Sequence, residues 1–236
     1  MRQRYYQMTT SDNAADIYIF GDITSWEWLE SDVSSYTLAR ELQSLQNVDH
    51  IRVFINSYGG EVAEATAIYN QLRDNSAKVT TICNGFACSA ASVIFMAGDE
   101  RLMNRASRLM IHNAMTWARG NAAQLRKAAE DLESINELSI TAYMDKVNIS
   151  REKLQELMDN ETWIKPEDAV EMAFATGIVE DEGGDNASQS AREAILQALD
   201  RTGAEPAPMP VPQPEPQKEP EQNGKNNILK LFERSK

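Results

Sequence analysis

One serine and one histidine of this sequence could together form a covalent catalytic centre. Ser89 lies in NGFACSAASVIFMAG, residues 84–98, an apolar stretch with small side chains. A short buried helix explains this stretch without any chemistry, and a nucleophilic Ser89 is the alternative; in both interpretations Ser92 serves packing alone. The chain contains two histidines, His50 and His112. His112 ends an apolar strand and His50 stands in a polar stretch, so a serine–histidine pair would use His112 as its base.

A pair of glycines upstream could hold an oxyanion. In INSYGG, residues 55–60, the chain leaves a predicted buried strand and turns through two glycines into a helix that starts near Glu61. Paired glycines permit positive φ and let backbone N–H groups approach a ligand beside the positive end of a helix. An ordinary strand-to-helix turn uses the same residues, so this pattern alone leaves both interpretations open.

A third group in such a centre orients the imidazole and stabilises its cation. The acidic segment MDNETWIKPEDA, residues 158–169, offers Asp159 and Glu161, although solvated surface carboxylates are the common alternative. The order along the chain would be serine, histidine, acid. The α/β-hydrolases place the acid before the histidine and carry G-x-S-x-G at the nucleophile, which is absent around Ser89, so that class does not fit.

The elements that must position these residues alternate between strand and helix. Runs of β-branched and aromatic residues predict strands, and apolar residues at helical spacing predict helices. The predicted strands cover 16–23, 51–55, 78–82 and 108–111, and the predicted helices cover 34–46, 61–73, 84–98 and 121–144, with a last helix starting near Pro166. Such a succession favours a parallel sheet with right-handed crossovers and helices on its faces, which is an α/β fold.

The composition changes near the end of the last predicted helix. Residues 204–224, AEPAPMPVPQPEPQKEPEQNG, are acidic and rich in proline, as linkers without a core of their own are. We expect one domain over 1–182 and a mostly disordered tail over 183–236. Two stretches of the tail, 190–201 and 226–236, have apolar residues at helical spacing. Each either docks, on a partner or on the domain, or stays frayed.

Charge and cysteine content exclude several classes of protein. A formal net charge of -13 repels phosphate backbones and anionic headgroups, so we expect neither a nucleic-acid partner nor a membrane. The amino terminus lacks the apolar run of a signal peptide, which predicts a cytoplasmic protein. Two cysteines, Cys83 and Cys88, and two histidines do not make a structural zinc set, and we expect no metal ion and no cofactor.

Several motifs, in order, resemble the proteolytic subunit of the Clp peptidase, ClpP, and more closely the ClpP-like head maturation proteases of tailed phages and prophages. The family's I-N-S-P-G-G is matched by INSYGG, its nucleophile segment G-x-A-A-S by GFACSAASVIFMAG and its M-I-H by LMIHN. The phage branch's E-T-W-x-x-x-E-A-V is matched by ETWIKPEDAV, which has one additional residue, Asp168, before its A-V. The matched region runs from about Asp16 to Asp181. Tyr58 stands where the family has proline, and Cys88 replaces a common alanine.

This resemblance implies a role for each candidate site residue. It implies that Ser89 is the nucleophile, His112 the general base and Glu161 the triad acid. The N–H groups of Gly60 and Ala90 would be the two donors of an oxyanion hole. The family's aspartate position corresponds to Glu161, and Asp159 is the alternative acid.

The resemblance also implies an architecture and partners. The fold would be a ClpP/crotonase-like spiral of β-β-α units with a long handle helix, here the predicted helix over 121–144, followed by the disordered tail. Subunits of this family form homo-oligomeric rings, such as heptamers or stacked rings, that enclose the active sites. The substrate would be a peptide or protein, here capsid or scaffold precursor, cut in the cytoplasm of a bacterium or a phage-infected host.

The implied function is that of a serine endopeptidase that processes phage head precursors through an acyl-enzyme. One alternative is a general Clp-type peptidase acting with an AAA+ unfoldase; the chain has no G-x-x-x-x-G-K-[ST] sequence, so any use of ATP would belong to that partner. Another is a crotonase-like protein that binds acyl-CoA, which needs no serine–histidine pair. A third is a shell component that forms rings without proteolysis.

Overall fold

The computed structural model describes residues 7–11, 13–29, 31–44 and 48–179. The predicted tail over 183–236, with its two helical stretches, lies outside these residues, and so does the predicted domain boundary at 182. Among the residues described, no helix is long and apolar enough to cross a membrane.

A mostly parallel sheet carries the fold, as predicted. Within the described residues its strands are β1 (Gln7–Ser11), β2 (Ala14–Ile19), β3 (His50–Ser57), β4 (Lys78–Cys88), β5 (Glu100–Met103), β6 (Arg108–Ile111), β7 (Thr162–Ile164) and β8 (Gly177–Ile178). Their order is β1-β2-β3-β4-β5-β8, with β6 paired to β4 and β7 paired to β6. The pairs β1–β2 and β6–β7 are antiparallel, and the other pairs are parallel.

The helices pack around this sheet. They are α1 (Ser35–Ser44), α2 (Val62–Arg73), α3 (Ala90–Phe95), α4 (Ala122–Met144), α5 (Arg151–Asp159) and α6 (Pro166–Glu171). The start of α4 is fixed by a capping box, in which the Asn121 side chain accepts the Gln124 N–H and the Gln124 side chain accepts the Asn121 N–H. Pro166 occupies the first turn of α6, where its missing N–H costs nothing.

The burial pattern of β3 explains why the central strands form where they do. Ile51, Val53 and Ile55 have no exposed surface, and the residues between them are partly or fully exposed. Each buried isoleucine contributes roughly 1.5 to 3 kcal/mol relative to an exposed one. All six residues of α3 are also buried, so this helix packs inside the protein and not on its surface.

The helix predicted over 84–98 is wrong in its first part, where the structure has a strand, and this changes the position of Ser89. Strand β4 continues to Cys88, because Phe86, Ala87 and Cys88 pair with β6 on one side and Ala87 pairs with Ser57 of β3 on the other. The helix covers only Ala90–Phe95. An apolar run of this kind is compatible with a buried strand or a buried helix, and here pairing on both sides decides. Ser89 therefore stands at the strand-to-helix turn itself.

Other differences concern short elements and one strand end. Strands β1, β5, β7 and β8 and helix α5 were not predicted; these strands have two to five residues each, too few for a periodic pattern. The strand predicted over 16–23 ends at Ile19. Ile23 instead forms isolated parallel bridges with Val33 and Gly60, which ties this segment to the glycine turn.

Candidate active site

Ser89 sits at a strained backbone position between β4 and α3. Its φ of 53° and ψ of -126° lie outside the regions that residues with a side chain normally adopt. Such conformations cost on the order of 1 to 3 kcal/mol and persist where the surrounding structure fixes them. The Ser89 N–H donates to the Met110 carbonyl oxygen at 2.8 Å, so strand β6 holds one side of the turn.

His112 lies within hydrogen-bond distance of this serine. Nε2 of His112 and Oγ of Ser89 are 2.6 Å apart, and both residues are half-buried. The pairing of the strands explains the distance: Cys88 is opposite Met110 in the parallel β4–β6 pair, so the next residues of both strands emerge at the same edge of the sheet. The sequence prediction of a Ser89–His112 contact matches the geometry.

The glycine turn lies directly against Ser89. Gly59 and Gly60 have φ values of 107° and 148°, a region that favours glycine. A Cβ on Gly59 would stand 2.8 Å from the Ser89 Cβ and 3.0 Å from the Ala90 nitrogen. In the part of the chain that the structure describes, the N–H groups of Gly60 and Ala90 donate to no protein acceptor. Neither donor is therefore committed to an internal hydrogen bond.

A clamp around Glu61 fixes the glycine turn in place. Ile23 N–H donates to the Gly59 carbonyl at 2.9 Å, and Glu61 N–H donates to the Ile23 carbonyl at 2.7 Å. Oε1 of Glu61 accepts the Thr24 hydroxyl at 3.0 Å, the Ser25 N–H at 3.2 Å and the Ser25 hydroxyl at 3.1 Å. Hydrogen bonding from Ser25, followed by that from Thr24, lowers the pKa of Glu61.

An aromatic row contacts the glycine turn at Tyr58. The Tyr58 ring lies 5.4 Å from the Phe86 ring, which lies 5.6 Å from the Trp163 ring. Contacts of this kind contribute roughly 0.5 to 1.5 kcal/mol each beyond the area they bury. The row links the glycine turn to β4 and β7, the strands on either side of β6.

Ser89 and His112 open into a cleft of about 740 Å³. Gly60 and Glu61 line the cleft together with Ile23. Apolar side chains of α4 line the cleft at helical spacing: Leu132, Ile135 and Leu138. A cleft with one apolar wall and a few convergent polar groups is the usual form of a site that binds an organic substrate.

The structure does not place a carboxylate on His112. Across the described residues, the imidazole makes no hydrogen bond other than that to Ser89. Asp159 accepts the side-chain amide of Asn113, the residue after His112, at 2.8 Å. Glu161 is exposed and lies at the turn before β7 with a φ of 47°.

The β6–β7 pairing ends directly beside one of these carboxylates and the histidine. Ile111 is opposite Thr162 in this antiparallel pair. Outside this last pair, His112 directly follows Ile111 and Glu161 directly precedes Thr162, and neither residue is itself in a strand.

The Ser92 hydroxyl makes two hydrogen bonds that sequence reasoning missed. Its hydroxyl donates to the Ser89 carbonyl oxygen at 2.6 Å and lies 2.8 Å from the Tyr143 hydroxyl. The prediction that Ser92 serves packing alone did not include these hydrogen bonds. A serine three residues into a helix from a turn can bond back to the carbonyl at position i−3, and this spacing from Ser89 was the available indication.

The two cysteines are buried, as predicted. Burial raises the pKa of both Cys83 and Cys88 to about 11, so neither thiol forms a reactive thiolate near neutral pH. Cys88 directly precedes Ser89 but has no exposed surface. Within the described part of the chain, no group of three or more histidine, cysteine or acidic side chains is placed to hold a metal ion.

Comparison with known proteins gives the family. A family model described as Clp protease matches residues 13–182, well over half of the chain. The chain belongs to the Clp protease family. The ATP-dependent Clp protease proteolytic subunit of Deinococcus radiodurans is 32% identical to this chain over 156 residues, which are 64% of this chain and 76% of that protein.

Further Clp proteolytic subunits match the same way. The protein of that name from Bacteroides fragilis is 33% identical over 153 residues, 63% of this chain and 74% of its own length. The one from Mesostigma viride is 30% identical over 140 residues, 58% of this chain and 61% of its own length. These matches confirm the predicted ClpP-type fold and the predicted class of enzyme, a serine-type peptidase and hence a hydrolase.

Proposed function

We propose that this Clp-family protein is a serine endopeptidase that works through an acyl-enzyme formed on Ser89. The observation that carries the proposal is the 2.6 Å separation of Ser89 Oγ and His112 Nε2, two residues that line an open cleft. Nε2 accepts the hydroxyl proton as Oγ attacks the peptide carbonyl, and the imidazolium then protonates the leaving amine. Water releases the acyl group in the second half of the reaction.

The free N–H groups of Gly60 and Ala90 form the oxyanion hole in this proposal. They flank Ser89, one on the clamped glycine turn and one at the first residue of α3. Each such donor contributes about 3 to 4 kcal/mol to stabilising the charge that develops on the carbonyl oxygen. The clamp around Glu61 matters because donors held in place before the reaction need no reorganisation during it.

Glu161 is the proposed triad acid, and the β6–β7 register supports it. Glu161 and His112 directly adjoin the last residue pair of β6 and β7, whereas the Asp159 carboxylate already accepts a hydrogen bond from Asn113. A carboxylate on Nδ1 of His112 would fix the tautomer that leaves Nε2 free to accept the serine proton.

Neutral isosteres separate the two candidate acids. We expect Glu161→Gln to lower kcat by about 10² to 10⁴-fold, because loss of the carboxylate disfavours the required tautomer and the imidazolium. Asp159→Asn keeps an amide oxygen that can accept from Asn113, and we expect it to lower kcat less than tenfold. Steady-state peptide hydrolysis by both variants measures this. The opposite ranking would assign the acid to Asp159.

The substrate in this proposal is an extended polypeptide. Residues 112–119 contain no helix or strand, and Ala114, Met115 and Thr116 line the cleft opposite the glycine turn. Backbone of this kind can pair with a substrate strand, which places the scissile carbonyl over Ser89. The apolar side chains of α4 would contact a substrate side chain.

Ring assembly is also part of the proposal, and α4 supports it. This helix has 23 residues, but its buried residues are confined to the end from Ser139 to Tyr143. The exposed remainder includes Leu125, which is 44% exposed. A second copy of the chain that covered this length of helix would enclose the cleft that α4 lines, so folded proteins would be kept from Ser89.

The biological role that we propose is processing of capsid or scaffold precursors during phage head maturation, in the cytoplasm of the host. This role is supported by the sequence motifs that contain Ser89 and His112, by the later motif ETWIKPEDAV, and by their order along the chain. A second candidate, degradation of substrates delivered by an AAA+ ATPase, is favoured by the names of the relatives, which are ATP-dependent Clp proteolytic subunits. The serine–histidine contact disfavours binding of acyl-CoA without hydrolysis.

Co-expression distinguishes these roles. We expect the wild-type chain, expressed with a capsid or scaffold precursor encoded beside it, to shorten that precursor at defined sites without an ATPase, and a Ser89→Ala chain to leave it intact. Mass spectrometry of the products gives the cleaved bonds. Processing that occurs only when a Clp ATPase and ATP are supplied would overturn the first role in favour of the second.

A further inference from the structure

A buried hydrogen-bond chain runs from α4 to the backbone of the nucleophile. The Tyr143 hydroxyl lies 2.8 Å from Ser92 Oγ, and Ser92 Oγ lies 2.6 Å from the Ser89 carbonyl oxygen. Tyr143 is 1% exposed and Ser92 is 1% exposed, so no bulk water competes for these bonds. Neither side chain lines the cleft. The chain therefore acts beneath the site, away from any substrate.

The donor and the acceptor of each hydrogen bond follow from the group at which the chain ends, the Ser89 carbonyl. A carbonyl oxygen can only accept, so the Ser92 hydroxyl proton points to Ser89. The proton between Ser92 and Tyr143 must then come from Tyr143. Burial raises the pKa of Tyr143 to about 12, so its hydroxyl keeps this proton over the working pH range.

These bonds act on the residue with the strained backbone. Ser89 has a φ of 53°, and its carbonyl also accepts the Ser92 N–H at 2.9 Å. Its own N–H is held by Met110 at 2.8 Å. The peptide groups on both sides of Ser89 are thus fixed, one by strand β6 and one by Ser92 with Tyr143 behind it.

We propose that Ser92 and Tyr143 are positioning residues that hold the strained turn at Ser89 and so aim its hydroxyl at His112. The inference rests on the proposed role of Ser89 as nucleophile. It also ties α4 to the nucleophile, because the helix that lines the cleft through Leu132, Ile135 and Leu138 carries Tyr143 at its buried end. A shift of α4 would reach Ser89 through this chain.

Removal of single hydroxyls from the 236-residue protein tests the proposal. We expect Tyr143→Phe and Ser92→Ala each to lower kcat, and the rate at which a fluorophosphonate labels Ser89, by about three- to tenfold, the effect of one lost hydrogen bond on the geometry of attack. KM should stay within twofold, because neither residue touches the cleft. Assays at a temperature where every variant is fully folded exclude a simple loss of stability.

A double-mutant comparison adds a second measurement. Ser92→Ala leaves the buried Tyr143 hydroxyl without its partner, which is costly. We therefore expect the Ser92→Ala/Tyr143→Phe protein to unfold at a higher temperature than Ser92→Ala alone, while its labelling rate is no higher. Effects of the two single variants that multiply in the double variant would show that they act separately and would overturn the proposed chain.

Matched controls remove comparable hydroxyls elsewhere. Tyr69→Phe takes a largely buried tyrosine hydroxyl from α2, and Ser139→Ala takes a buried serine hydroxyl from α4; neither residue contacts Ser89 or the cleft. Both should label at the wild-type rate. If wild type labels at Ser89 and Tyr143→Phe does so at an unchanged rate, the positioning role is overturned. If wild type itself does not label at Ser89, the proposed nucleophile is wrong instead.

Discussion

Replacement of Ser89 by alanine should abolish hydrolysis and leave the fold intact. We expect kcat to fall by about 10⁶-fold, the loss seen when the nucleophile of a serine–histidine centre is removed. Ser89 is half-buried and its side chain bonds only to His112 in the described structure, so removal of Oγ leaves unpaired only Nε2 of His112, which is itself half-buried and lines the cleft. The unfolding temperature should therefore change by no more than 1 to 2 °C, since a surface-like truncation costs about 0.5 kcal/mol or less.

Two measurements on the same protein check this expectation. A fluorophosphonate should add one label to the wild-type chain, and peptide mapping should find it on Ser89. Ser89→Ala should carry no label, and Ser92→Ala, which keeps the nucleophile, should still be labelled at Ser89, only more slowly. A label that persists in Ser89→Ala would place the nucleophile elsewhere and contradict the proposed mechanism.

The juxtaposition of the candidate catalytic residues was predictable because their positions depend on strand ends. In a parallel sheet the carboxyl ends of neighbouring strands lie at one edge, so the residues after β3, β4 and β6 converge. This brings the glycine turn, Ser89 and His112 together even though the predicted end of β4 was six residues short. The error in the length of β4 did not affect the choice of Ser89, because the nucleophile motif, and not the predicted strand end, identified that residue.

The supporting interactions were not predictable, and the reason is physical. The clamp between Glu61 and Ser25 joins residues 36 positions apart, and the Ser92–Tyr143 bond joins residues 51 positions apart. Periodicity describes only neighbours within an element, so it cannot place such contacts. Sequence order also left the acid open, since Asp159 and Glu161 lie two residues apart; our proposal of Glu161 draws on its place next to the pair of Ile111 with Thr162.

Replacement of Gly60 by alanine should damage both the oxyanion hole and the clamp. A Cβ at this position would stand 2.0 Å from the Ile23 carbonyl oxygen, which is backbone and cannot turn aside. The φ of 148° is also strained for any residue with a side chain. Relief of the clash must open the bridge between Gly60 and Ile23, which moves the Gly60 N–H away from the carbonyl oxygen of the substrate.

We expect Gly60→Ala to lower kcat by about 10² to 10³-fold, the value of one oxyanion donor, with a smaller change in KM. The unfolding free energy should also fall, by about 1 to 3 kcal/mol, because alanine at positive φ adds strain to the clash. Gly177→Ala is the matched control, since its Cβ would meet only a Leu102 methyl at 3.4 Å, an ordinary contact. Steady-state hydrolysis and thermal unfolding of both variants measure the difference. Wild-type kcat in a folded Gly60→Ala protein would mean that the Gly60 N–H does not bind the oxyanion, and the hole would then have to be built around Ala90 and a different donor.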